Sequence, residues 1–407
     1  MESDPSLIPH ANEMSSAVSS ISSTSAQTKS PPRHQYFVCP IYKDEPVPWD
    51  PYTRGEVLSH HTYLDYFGGV FAEMEKHLDR DGLTVYVTWH TDELPSYGQD
   101  VVAVVMGDEW GKYPLYTDRV RAVFKMMGTD FPFEATPFRT PFQLTAVTAL
   151  KYARTQLHRV PNVIQAWRDR RRRSEKGEGG PTPIFDVPIG YVNQDDLPLK
   201  PLSERKYDLY FSGSVSNSRF SWYSPQYWLR TPKDVSRTRL SRAMRQIQRA
   251  KSDLNVVLDV WDTYVPNAGA DETDSPERSY SEMMMDTRIC PVPRGTRLET
   301  GRLYEAMRYG CVLITEPLPD RWYLRGLPTI TIHDWANLPA IVSDLVEDRS
   351  RMQRLHKAVR QWWKTRCSEA AVGRYMAEKL RSVFGDNPEN NRWGTEREGE
   401  PSSDEEL

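Results

Sequence analysis

Between residues 36 and 383, short apolar runs alternate with longer amphipathic segments, and the alternation predicts an open, mostly parallel α/β architecture. In the first half the runs predict strands at 36–39, 84–88 and 101–106, with helices near 61–77 and 142–157. The pattern restarts with a strand at 207–211 closed by Ser212-Gly213-Ser214, a helix near 234–251 and a strand near 255–260. Further strands are expected near 288–292, 311–315 and 329–332, and the chain closes in helices near 336–347, 351–365 and 369–383. Two α/β domains are therefore expected, 34–190 and 191–384. The stretch from Arg168 to Gly180, arginines fading into glycine, is expected to be a mobile connector, with Arg168 to Arg173 as a solvated linker helix. Residues 1–33, rich in Ser, and the acidic residues 385–407 are expected to be disordered arms, because neither can bury enough apolar surface to offset chain entropy.

Composition agrees with this layout. A chain of 407 residues exceeds one ordinary core, and 38% hydrophobic and 11% aromatic residues suffice for two. A net charge of −4 gives no global field for nucleic acid or an anionic membrane, so any polyanion site must be local. The four cysteines, Cys39, Cys290, Cys311 and Cys367, lack metal-site spacing and predict buried thiols. With no run of about 18 apolar residues and no basic-then-apolar leader, the expectation is no membrane segment and a cytoplasmic location.

The chemistry-bearing stretch runs from Thr287 to Ile314. It predicts a strand stopped by Pro291 and Pro293, a polar loop in which Gly295 lets the backbone approach a ligand, and a helix capped by Thr300 and ended by Gly310. A loop opening onto a helix N-terminus offers unpaired N–H groups, and Arg294, Arg297 and Arg302 add charge suited to a diphosphate. Glu305 shares a helix face with Arg302 and is expected to accept ribose hydroxyls. Gly213 lies in a turn suited to donor phosphates or acceptor, or in a plain tight turn.

Cys290-Pro291-Val292-Pro293-Arg294-Gly295 followed by Thr300-Gly301-Arg302-Leu303-Tyr304-Glu305-Ala306 and Gly310-Cys311 resembles the exostosin-type glycosyltransferases. The resemblance implies a GT-B fold of two Rossmann-like domains facing a cleft, the first on the acceptor side. It also implies a nucleotide-sugar donor of UDP or GDP type in the second, no obligatory metal, and transfer to a glycan or small-molecule hydroxyl with inversion. Arg294, Gly295, Thr300, Arg302 and Glu305 match the donor positions, with one extra residue before Arg294 and Val312-Leu313 in place of Pro-Val. The general base is left among Asp108 and Glu109, after one first-half strand, and His60 or His61 before a helix. A non-catalytic nucleotide-sugar or glycan binder is the alternative, and nucleic-acid binding by the arginine cluster is disfavoured by the overall charge.

Overall fold

The computed structural model describes residues 33–40, 45–53, 63–175, 182–192, 196–215, 231–261 and 279–385. Residues 1–32 and 386–407 of the terminal arms, the Gly-rich end of the expected connector, and His60 with His61 lie outside these residues.

The first sheet contains β1 (Gln35–Cys39), β2 (Val47–Pro48), β3 (Thr84–Thr88), β4 (Gly98–Val105), β5 (Val120–Met126) and β6 (Ile184–Val187). They lie in the order β2-β1-β3-β4-β5-β6, with β2 antiparallel and the others parallel. β4 is apolar on both faces: Val102 and Val104 join one core, Val101, Ala103 and Val105 another. An uninterrupted apolar run is what a parallel strand covered on both sides requires. Helix α1 (Leu64–His77) precedes β3, and α2 (Phe142–Glu175) joins β5 to β6.

The second sheet contains β7 (Tyr207–Ser214), β8 (Val256–Trp261), β9 (Thr287–Val292), β10 (Val312–Thr315) and β11 (Ile330–Thr331), all parallel, in the order β11-β10-β9-β7-β8. Its helices are α3 (Pro232–Ala250), α4 (Tyr280–Met285), α5 (Gly301–Tyr309), α6 (Leu338–Glu347), α7 (Arg349–Trp362) and α8 (Glu369–Phe384). Local chemistry fixes several ends. α3 starts with a Thr231–Asp234 capping box and Pro232 in its first turn, and α5 stops at Gly310, whose φ of 70° a larger residue would resist. From β7 the chain moves to β8 on one side and to β9 on the other, so the direction of winding reverses between β7 and β9. The parallel strands of the first sheet follow chain order without such a reversal.

Three expectations change. As far as Glu175 the expected connector is the end of α2 rather than a separate linker: arginines are good helix formers, Arg171 pairs with Glu175 at 3.0 Å, and Arg173 reaches Asp118 of the body. Strand β5 was not anticipated, because Arg121 and Lys125 interrupt its apolar pattern. The closing helix does not stay with the second sheet. α8 packs on α1, where a Cβ on Gly373 would stand 2.6 Å from the Val70 carbonyl oxygen, and the Tyr66 hydroxyl donates to the Cys367 carbonyl at 2.6 Å.

The two sheets share one apolar core, in which Val104, Phe124 and Met126 of the first lie with Val292, Leu303, Tyr304 and Met307 of the second. Residues from Arg33 onward accordingly cluster as one unit. Arg321, just after β10, fastens the sheets together by pairing with Asp186 at 2.7 Å, Asp130 at 2.8 Å and Glu299 at 3.6 Å. Burial pushes the Glu299 carboxyl above the usual range, against the pull of Arg321 and of hydrogen bonds from Tyr304 and Tyr323.

Candidate functional site

The carboxyl ends of β7 and β9 flank the reversal point, where open parallel sheets form their ligand crevice. Ser212-Gly213-Ser214, expected to close the strand as a turn, instead forms the last three residues of β7 and stays paired with residues 259–261 of β8. Arg302, in the first turn of α5, donates to the Ser212 carbonyl and stacks 4.7 Å over the Phe211 ring. Arg237 of α3 donates to the Ser214 carbonyl at 3.1 Å and to the Arg294 carbonyl at 3.3 Å. Gly213 lies between them: a Cβ there would stand 3.5 Å from Arg237 Nη1 and 3.6 Å from Arg302 Nη2. A side chain at 213 would therefore fill the space between the two cations.

Two polar groups beside this strand end are buried without a hydrogen-bond partner among the described residues, Arg302 Nη1 and Thr300 Oγ1. Thr300 occupies the N-cap position of α5, yet its hydroxyl makes no capping bond. A buried polar group left unpaired costs about 1–3 kcal/mol, and so marks a place where a polar ligand or water supplies the missing bond. Gly295 lies against Thr300. A Cβ there would meet the Thr300 methyl at 3.1 Å, so the glycine admits Thr300.

Arg294 is turned inward. It is 2% exposed, its Nε pairs with Glu316, and its Nη2 donates to the Glu134 carbonyl at 2.8 Å. Glu316 also accepts from Ser236 and, at 3.0 Å, from Trp335 Nε1. The expected diphosphate arginine thus belongs to a closed buried network, because Glu316 after β10 and the residues after β5 converge on it. Arg297 is used similarly, pairing with Glu134 at 2.6 Å and lying 4.2 Å over Phe131. Glu305 is buried and accepts the Val192 N–H at 3.3 Å, which ties α5 to the connection between the sheets.

After β4 of the first sheet, the neighbouring acids Asp108 and Glu109 have opposite surroundings. Asp108 is buried, pairs with the fully buried Lys125 at 2.8 Å, and accepts the Trp110 and Lys112 N–H groups at 3.1 and 2.6 Å. Burial lowers the Lys125 pKa while Asp108 pulls it back. Asp108 is therefore tied into the body of the protein by a buried ion pair and two backbone N–H groups. Glu109 has an exposed side chain, and its charge acts on Lys233 of α3 and Lys151 of α2. Both lysines have lowered pKa values, burial being the larger cause in each. Sequence reading missed Arg237, Lys233, Lys151, Glu316 and Arg321; the (i, i+4) pair Lys233 and Arg237 at the start of a capped helix was the available signal. Among the described residues no group of three or more His, Cys, Asp or Glu is disposed to hold a metal ion.

No protein-family model matches the chain. Over 85 residues it is 32% identical to the exostosin-1 homolog of Caenorhabditis elegans, covering 21% of each chain. Over 215 residues it is 26% identical to ribitol-5-phosphate xylosyltransferase 1 of Danio rerio, covering 46% of this chain and 44% of that one. The chain thus matches less than half the length of either relative. Solved structures superpose weakly: sucrose-phosphate synthase from Thermosynechococcus elongatus at 11% identity and a TM-score of 0.34, covering 83% of this chain and 97% of that one. HepE of Anabaena, in complex with UDP and glucose, gives 12% and 0.31, covering 79% and 75%. At such scores the superpositions carry no weight, and the two-sheet architecture rests on the strand pairings above. In sequence, the chain is similar to an exostosin homolog and to a ribitol-5-phosphate xylosyltransferase, in keeping with the exostosin-type resemblance carried by residues 290–311.

Proposed function

We propose that this protein is a glycosyltransferase that moves a sugar from a nucleotide-diphosphate donor, of UDP or GDP type, to a hydroxyl of a glycan or small-molecule acceptor. The observation that carries the reading is the pair of guanidiniums flanking Gly213 at the reversal point of the second sheet, beside the unpaired Arg302 Nη1 and Thr300 Oγ1. Oppositely charged, water-poor crevices of this kind suit a diphosphate leaving group. The sequence similarity to a xylosyltransferase supports the same class of reaction.

In this reading Arg237, Arg302 and the N-terminus of α5 hold the diphosphate and stabilise the negative charge that develops as the glycosidic bond breaks. They supply the charge for which a cation would otherwise be needed. Glu109, exposed after β4 of the first sheet, takes the acceptor proton. A single in-line displacement would invert the anomeric centre. Arg294 and Glu305 support the loop and helix and do not touch the donor.

The test is thermal stability of the purified protein against UDP, GDP, dTDP, ADP and their sugars, since a ligand bound only by the folded state raises the melting temperature. One diphosphate family should give a shift that Arg302→Lys and Arg237→Gln each remove. No shift with any of them sinks the donor site. A shift without nucleotide release across an acceptor panel would make the protein a binder.

A further inference from the structure

Helix α2 shows two faces of opposite duty. One face is fixed to the protein: Leu144, Val147, Thr148 and Thr155 are buried, Asn162 Oδ1 accepts the Tyr113 N–H at 2.7 Å, and Arg159 donates to the Gly111 carbonyl at 3.0 Å. The opposite face carries Phe142, Leu150, Leu157, Val160, Ile164 and Trp167, all exposed, Leu157 by 75% and Trp167 by 59%. Spacings of 7, 3, 4 and 3 from Leu150 onward place these side chains in one stripe along the helix. Just before the helix, Phe138 is fully exposed, at a φ of 66° that non-glycine residues seldom adopt. So long an apolar stripe on the outside of a helix calls for an occupant.

The charges beside the stripe identify the occupant. α2 contains eight Lys or Arg against two Asp or Glu, and Arg154, Arg168, Arg170, Arg171 and Arg172 are exposed. A second copy laid parallel along the stripe would oppose the Arg168–Arg172 cluster to itself, and one laid antiparallel would set that cluster against residues 142–150, which hold no acid to pair with it. Nucleic acid would satisfy the arginines but leave the aliphatic side chains in water. We infer that the outer face of α2 lies in the headgroup layer of an anionic membrane, with Leu157, Ile164 and Trp167 entering the acyl boundary and the arginines of residues 168–172 on the lipid phosphates. No helix among the described residues is long and apolar enough to cross a membrane, so the contact is in-plane. The inner side of the same helix reaches the crevice loop, where Lys151 Nζ donates to the Thr296 carbonyl, so a membrane docked on α2 would lie beside the crevice.

The test is co-sedimentation of the full chain with phosphatidylcholine vesicles and with vesicles containing about 30% phosphatidylserine, without any nucleotide, so that it is independent of the donor reading. Wild-type protein should sediment with the anionic vesicles only, and should be released when salt rises from about 0.1 M to about 0.5 M. Leu157→Gln/Ile164→Gln/Trp167→Gln and, separately, Arg168→Gln/Arg170→Gln/Arg171→Gln/Arg172→Gln should each lower the partition coefficient about tenfold or more. Because every substituted side chain is exposed, both variants should keep the wild-type circular dichroism and melting temperature. Absence of wild-type binding overturns the inference, as does loss in the arginine variant alone, which would mark a plain polyanion contact. A wild-type dimer that the apolar variant turns into a monomer would give the stripe to a second copy and overturn it too.

Discussion

Replacing Arg294 separates a structural from a ligand-holding arginine. Its guanidinium and the Glu316 carboxylate are 2% and 5% exposed, so removal of one partner leaves a buried charge that water cannot reach. Arg294→Met should therefore cost about 3–5 kcal/mol of folding stability. Glu316→Gln keeps an oxygen to accept from Ser236 and Trp335, but leaves the Arg294 guanidinium buried without its counter-ion and should also cost about 3 kcal/mol. In the double variant neither buried charge remains, and the residual loss is chiefly the bond from Arg294 to the Glu134 carbonyl, about 1–2 kcal/mol. The double-mutant cycle should give a coupling of at least about 2 kcal/mol. Urea unfolding followed by circular dichroism and tryptophan fluorescence reads all four proteins, with the change in midpoint converted through a common slope. An Arg294→Met protein within about 1 kcal/mol of wild type, or a coupling below about 0.5 kcal/mol, would refute the closed network and return Arg294 to the donor.

Other positions separate along the same line. Gly213→Val should keep the fold yet weaken diphosphate binding about tenfold or more, because the new side chain fills the space between Arg237 and Arg302; calorimetric titration with the preferred diphosphate reads it. Glu109→Gln should lower the transfer rate about a hundredfold with donor affinity unchanged, whereas Asp108→Ala should cost about 3–5 kcal/mol of stability by leaving Lys125 buried alone. Enzyme assay and urea midpoint distinguish the two acids, and equal effects would contradict their assigned environments. The pKa of His34 is lowered by burial, although Glu75 pulls it up; Arg33 and Asp81 act in opposite directions. Its unfolded form binds a proton more readily, so its contribution is present above the ordinary pKa of 6.5 and is lost as pH falls through the lower folded value. His34→Gln should flatten that acid-side slope in urea midpoints measured down the pH scale.

Much of the layout was legible because it is local. β3 lies where alternating β-branched residues predict it, and α3 begins at a Thr-Pro-x-Asp signature that its own backbone rewards. The loop and helix from Pro293 to Gly310 were legible for the same reason, since proline, an N-cap position and a left-handed glycine act over a few residues. Burial and partnership were decided elsewhere. Whether Arg294 or Arg302 faces the crevice depends on Glu316, 22 residues later, and on Glu134, 160 residues earlier, and no local pattern encodes such a meeting. Asp108 and Glu109 are adjacent in sequence, yet Lys125 on the neighbouring strand fixes one and leaves the other exposed. The arginine run of α2 was read as a solvated linker helix apart from the one at 142–157, because charge density does not show what holds a helix; the body supplied the anchors in Asp118, Gly111 and Tyr113. By itself the sequence determined most of the elements and their α/β class. Only the tertiary structure decided which charges are consumed in burial and which remain to meet a ligand, because desolvation and pairing depend on neighbours that the chain brings together from far apart.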